Sequence, residues 1–278
     1  MLIHPIRLST FVFLGLFISK ADPDRPVQPP PAAQSQNQPQ QQANPAADPM
    51  KQATRLANIT RDWMNGKLST PGTSAEMREV SRTTNHGQLM VISTVFISGA
   101  PKDQTYNLAV WPVTAAGPSE SSRGLSIAPN GLLICAGRAP GQCVGEKKDD
   151  PVDFAFPAAK GEVFRLALVA ADGSAKILFA VVPDPIIKKD RGCSLEAIRL
   201  LPKFELVLVR AQGFQPNEEL QFTSKSEDEP KENQAKADPE GGYTTALLPF
   251  VKNKQIGKAD IKLKGAACAP SLSFEWGK

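Results

Sequence analysis

Beyond residue 88 the chain is written in short runs in which apolar and polar residues take turns, cut by glycine, proline and aspartate. Tyr106, Leu108 and Val110 alternate with Asn107, Ala109 and Trp111. Ala259, Ile261 and Leu263 form a strict period-two row, and so do Leu272, Phe274 and Trp276. Period two is the mark of a strand with one face in a core. Residues 89–97 are almost continuously apolar, which predicts a strand covered on both faces. Runs at 163–170 and 175–182 flank Ala171-Asp172-Gly173-Ser174, and Asp-Gly between such runs predicts a hairpin.

The second half of the pattern follows the first in outline. Residues 91–111 and 204–222 each run from an apolar stretch through a glycine (Gly99, Gly213) and a proline (Pro101, Pro216) into a second alternating stretch. Gly131 and Gly242 each lead a strand, Gly161 and Gly257 lead another, and each half closes on a last one at 177–182 or 272–276. About six or seven short strands per half, with turn signals between, predict an all-β chain of two tandem β-sandwiches. The first is expected over 86–187 and the second over 190–278, each folding on its own. Residues 66–85 are polar and turn-rich and suggest no element. Ser224 to Lys236, SKSEDEPKENQAK, reads as a charged loop in solvent.

Before the strands the texture differs. In 50–66, Ala53, Leu56, Ala57, Ile59, Trp63 and Met64 recur at three-to-four spacing ahead of Gly66, which predicts a short amphipathic helix. Such a stripe packs on its own domain or binds a partner. Residues 22–49 are almost wholly Pro, Gln, Ala, Asn, Ser and Asp and read as a disordered spacer. Residues 1–21 carry Arg7, an apolar stretch from Phe11 to Ile18, and then Ser19-Lys20-Ala21. That is the form of a secretory signal cleaved near Ala21, and the apolar stretch is too short for a membrane span; the alternative is an uncleaved anchor.

Export changes the reading of charge and of cysteine. Removing 1–21 takes away Arg7 and Lys20 and no acid, so the net charge of +4 falls by two to +2. The one short basic run, Lys188-Lys189 with Arg191, is broken by Asp190, so no nucleic-acid footprint is expected. The cysteines Cys135, Cys143, Cys193 and Cys268 become disulfide candidates. Four cysteines allow three pairings. Pairing Cys135 with Cys143 and Cys193 with Cys268 keeps each bond inside one half.

Gly213-Phe214-Gln215-Pro216-Asn217-Glu218, followed by Asp238-Pro239-Glu240-Gly241-Gly242-Tyr243, resembles a turn pattern of bacterial extracellular immunoglobulin-like modules. The resemblance covers 190–278 well and 88–187 loosely, where Ala100 replaces the aromatic and Asp103 stands near the acid position. It implies immunoglobulin-like sandwiches in a secreted protein, and no catalytic residues.

Chemistry is sparse. His86, in the Thr83-Thr84-Asn85-His86-Gly87 turn, is the one histidine left after cleavage, and no G-x-S-x-G elbow, phosphate loop or dinucleotide fingerprint occurs. Asp149, Asp150, Asp153, Asp172, Asp184 and Asp190 are spread over turns and connectors. Calcium at Asp172-Gly173 or Asp238 does not match the twelve-residue loop, so no metal, cofactor or catalytic residue is expected. Trp111, Tyr106, Trp276 and Tyr243 fall in strands, where a core role is the default; an exposed coplanar pair would favour a glycan-binding module. The expectation is a non-enzymatic, exported interaction or structural protein whose partner is a protein or glycan of the cell envelope.

Overall fold

A computed structural model describes residues 49–112, 119–137 and 148–277. The expected signal and spacer, and Cys143, lie outside the described residues. The helix α1 spans Pro49–Met64. The first sandwich contains β1 (Ser74–Asn85), β2 (Gln88–Ser98), β3 (Tyr106–Pro112), β4 (Ser119–Ile127), β5 (Leu133–Cys135), β6 (Phe154–Pro157), β7 (Phe164–Ala170) and β8 (Lys176–Val181). The second contains β9 (Ile186–Asp190), β10 (Cys193–Arg199), β11 (Val207–Gln212), β12 (Glu219–Ser226), β13 (Glu229–Lys236), β14 (Tyr243–Leu247), β15 (Gly257–Lys264) and β16 (Ser271–Trp276). A single 3-10 turn, Pro202–Phe204, joins β10 to β11.

Four antiparallel sheets result. In the first sandwich β1-β2-β6 faces β5-β4-β3-β7-β8, and in the second β14-β11-β10-β9 faces β13-β12-β15-β16. The shared strand order is plain. β1-β2-β6 matches β10-β11-β14, and β4-β3-β7-β8 matches β13-β12-β15-β16, with β5 and β9 as additions. These are two tandem immunoglobulin-like sandwiches. The period-two rows explain the facing: Val95, Ile97, Tyr106, Leu108, Leu166 and Leu168 meet in one core. Leu195, Val209, Phe222, Ile261, Phe274 and Trp276 meet in the other.

The two glycines singled out by the pattern do one job twice. Gly99 (φ +74°) follows β2 and Gly213 (φ +89°) follows β11. A side chain at Gly99 would strike the carbonyl of Gly72, just before β1. At Gly213 it would strike the carbonyl of Gly192, just before β10. The backbone turns into the facing sheet only where no Cβ intervenes.

Three expectations need correction. Residues 74–85, expected to be without structure, form β1, paired with β2 from Ser74↔Ser98 to Asn85↔Gln88 with a bulge at Val80. The first sandwich thus begins before residue 86. The stretch 224–236, expected as a loop, is the end of β12 and all of β13, paired from Glu219↔Lys236 to Ser226↔Glu229. Both β1 and β13 are sheet edges, where charged side chains and proline block pairing with another chain and only one flank is packed. Such strands need no apolar alternation, so pattern reading passes over them. Finally, β9 opens at Ile186, which packs in the second core, so the second sandwich starts ahead of residue 190.

Cys193 and Cys268 form a disulfide across the second core, with Cα atoms 6.2 Å apart and a sequence separation of 75. Both cysteines are buried, and Asp190 fixes the same corner by accepting the Ala269 amide at 2.7 Å. Closing a loop of that length removes about 4–5 kcal/mol of unfolded-state freedom in the chain-entropy model. Replacing Cys193 and Cys268 by alanine is therefore expected to lower the melting temperature by roughly 10 °C or more. Calorimetry of the variant, with thiol counting of the denatured wild type, checks this; an unchanged melting temperature or free Cys193 and Cys268 thiols contradict it.

Candidate functional site

The junction of the two sandwiches is built on a strand surface that is apolar on both faces. Along β11, Val207, Val209 and Ala211 point into the second core, so Leu206 and Leu208 point outward. On β10 the same alternation turns Ile198 outward, opposite Leu208. The far half of this outer face is polar, with Glu196 and Arg210 paired at 2.7 Å. The near half needs a cover, and α1 supplies it. Ala53 and Ala57 are buried there and Leu56 and Met64 half-buried, packed with Val163, Ile198, Leu200, Leu206 and Leu208. Each large aliphatic side chain so enclosed contributes about 1.5–3 kcal/mol.

The same layer includes Ala180 and Val182 at the end of the first sandwich and Ala246 and Leu248 at the edge of the second. The helix thus rests on both. Beyond it the chain runs along the edge of β8. Ser69 Oγ donates to the Leu178 carbonyl at 3.0 Å and accepts the Leu178 amide at 2.9 Å. The Thr70 amide donates to the Lys176 carbonyl at 2.7 Å, and Thr70 Oγ1 accepts the Lys176 amide at 2.9 Å. Edge groups that would otherwise invite another strand are satisfied within the chain.

Polar contacts lock the short connector between β8 and β9. The Gly161 amide donates to the Asp184 carbonyl and the Arg199 amide to the Gly161 carbonyl, both at 2.7 Å. Glu162 then bridges Arg199 in parallel, and their side chains form an ion pair at 2.9 Å with 8% and 13% exposure. Burial pushes the Glu162 carboxyl up, and Arg199 draws it part of the way back. From the other side Arg82, on β1, donates to Asp184 at 3.3 Å and to the Pro183 carbonyl at 2.9 Å. Residues 49–278 form one compact unit.

The residues singled out by sequence fall in separate places. Cys135 is buried at the end of β5 in the first core, Cys193 and Cys268 are joined in the second, and Cys143 lies outside the described residues. His86 (φ +47°) is the exposed tip of the β1–β2 hairpin. Asp172 accepts the Ser174 amide at 2.9 Å within its turn, Asp238 accepts the Glu240 and Gly242 amides at 3.0 and 2.6 Å, and Asp184 faces Arg82. Tyr106 is fully buried and donates to the Pro101 carbonyl at 2.6 Å. Trp276 is buried and donates to Ser226 Oγ at 3.0 Å. Tyr243 is half-buried, its ring 6.0 Å from that of Phe222. Trp111 is half-buried with the Arg165 guanidinium 4.1 Å over its ring.

The turn pattern of 213–218 has a mechanical explanation. Glu218 accepts the Ala266 amide from the neighbouring loop and the Gln215 amide at 2.8 Å from its own turn. These bonds, the Ala266 one first, hold its carboxyl below the usual range. Sequence reading missed Glu162, Arg165 and Arg199 because single charged residues in strands carry no spacing signal; only their burial marks them.

No family profile and no curated protein matches the chain. Among solved structures it is similar to a segment of two fibronectin type III domains from chicken tenascin, at 12% identity, with 74% of this chain and 99% of that one covered and a TM-score of 0.21. It is also similar to a DUF3823 family protein from Bacteroides ovatus, at 9% identity, with 74% and 100% covered and a TM-score of 0.19.

The buried ion pair gives a signed pH test. Arg199→Met leaves the Glu162 carboxylate enclosed without its partner, which costs about 3 kcal/mol at pH 7.5. A folded-state pKa raised above the unfolded one favours the fold at low pH and loses that contribution as pH rises through it. The deficit of the variant is therefore expected to shrink between pH 7.5 and pH 5. A deficit that is constant or grows on acidification, measured by urea unfolding, contradicts the assignment.

Proposed function

We propose that the chain is an exported, non-enzymatic interaction or structural protein. It presents two sandwiches as one stiff body beyond the spacer of residues 22–49. The Cys193–Cys268 disulfide carries this reading, because such bonds persist in oxidising compartments and are reduced in the cytosol. The turn residues that were weighed for chemistry serve the frame: Asp172 and Asp238 bind their own turns, and His86 sits at a hairpin tip. Among the described residues no helix is long and apolar enough to cross a membrane. Recognition then falls to loops and sheet faces held by a rigid scaffold. The carbohydrate-binding alternative draws less support, since Tyr106 and Trp276 are interior and Arg165 covers a face of Trp111.

Fusion of residues 1–73 to a reporter that becomes active only after forming its own disulfides tests the export half of this reading. Activity from the fusion, and none once residues 1–21 are deleted, is the expected result. An inactive cytoplasmic fusion would sink it.

A further inference from the structure

The helix α1 packs outside both sandwich cores. Ala53, Leu56, Ala57 and Met64 lie in the junction layer, against Ile198, Leu200, Leu206, Leu208 and Leu248. Among the described residues, neither core includes one from α1. Lifting the helix therefore breaks the junction layer and leaves both cores closed. That is the condition for a segment to open by itself, below the free energy of global unfolding.

The two sides of the layer are unequal. The sandwiches supply large aliphatic side chains, and the helix meets them with small ones. Its buried residues among those described are Ala53, Ala57 and Thr60, and Leu56 and Met64 are half-buried. Thr60 Oγ1 is enclosed and makes no hydrogen bond, which works against the packing that encloses it. The first turn carries no acid to meet the positive end of the helix. A helix of 16 residues is marginal in water without a surface to rest on.

A pivot follows directly. After Met64 the Asn65 amide donates to the Arg61 carbonyl at 2.9 Å and the Gly66 amide to the Trp63 carbonyl at 3.1 Å. Gly66 (φ +65°) closes this turn with open space around it. Three residues on, Ser69 and Thr70 are bonded to the edge of β8.

We propose that α1 is a releasable strap. It lifts as one unit from the pivot at Gly66, as far as the anchor at Ser69 and Thr70, while both sandwiches stay folded. Closed, it holds the sandwiches together. Released, it bares Ile198, Leu206 and Leu208 and leaves Glu162, Arg199 and Arg82 as the polar link around the connector.

Native-state hydrogen exchange of the full chain, read by mass spectrometry of its peptides, tests this. Amides of residues 53–64 are expected to exchange together, about a hundredfold or more faster than those of β10 and β11, and with a weak dependence on denaturant. Thr60→Val keeps the shape of the side chain and removes the hydroxyl, and is expected to slow exchange of the helix about tenfold. Exchange of α1 in step with β10 and β11, at one shared denaturant dependence, overturns the proposal. So does a gradient along the helix in which residues 57–64 exchange as slowly as the strands, which is fraying. A Thr60→Val helix that exchanges no slower than wild type overturns it too. None of these outcomes bears on the export test, so failure here and failure of the broader reading are distinguishable.

Discussion

One exposed apolar strip governs how this chain is put together. Alternation in β10 and β11 fills the second core with one set of side chains and leaves Ile198, Leu206 and Leu208 on the opposite face. That strip cannot be left to water without losing the burial of several large side chains. The chain covers it with α1, and the helix simultaneously reaches Ala180 and Val182 of the first sandwich. Around the connector, Glu162 pairs with Arg199 and Arg82 reaches Asp184. Two modules that each have a full core are thereby made into one body.

That body has consequences for function. Inter-domain interfaces are mobile by default unless large and apolar, and here apolar cover is combined with an enclosed ion pair. The proposed interaction role would draw on such a joined pair, because loops and faces held at fixed separations lower the ordering cost of binding.

Much of this was legible in the sequence. Period-two rows located β3, β15 and β16, the Asp-Gly signal located the β7–β8 hairpin, and the stripe from Ala53 to Met64 located α1. What stayed hidden has a common physical cause. The edge strands β1 and β13 are stabilised by backbone pairing on one side and carry polar residues that keep the other side unpaired, so they lack a hydrophobic period. Arg165, Glu162 and Arg199 are ordinary surface residues in composition, and only the packing around them removes them from water. The destination of α1 was open for a similar reason: a stripe shows that a face is buried without naming the surface that buries it.

Differential scanning calorimetry of residues 49–278, with and without the helical segment 49–66, tests the central claim that the layer beneath α1 fuses the sandwiches. The intact body is expected to melt in a single transition whose calorimetric and van't Hoff enthalpies agree, and removal of the segment is expected to split it into two. Two separate transitions in the intact chain, or a single unchanged transition without the helix, would contradict the account.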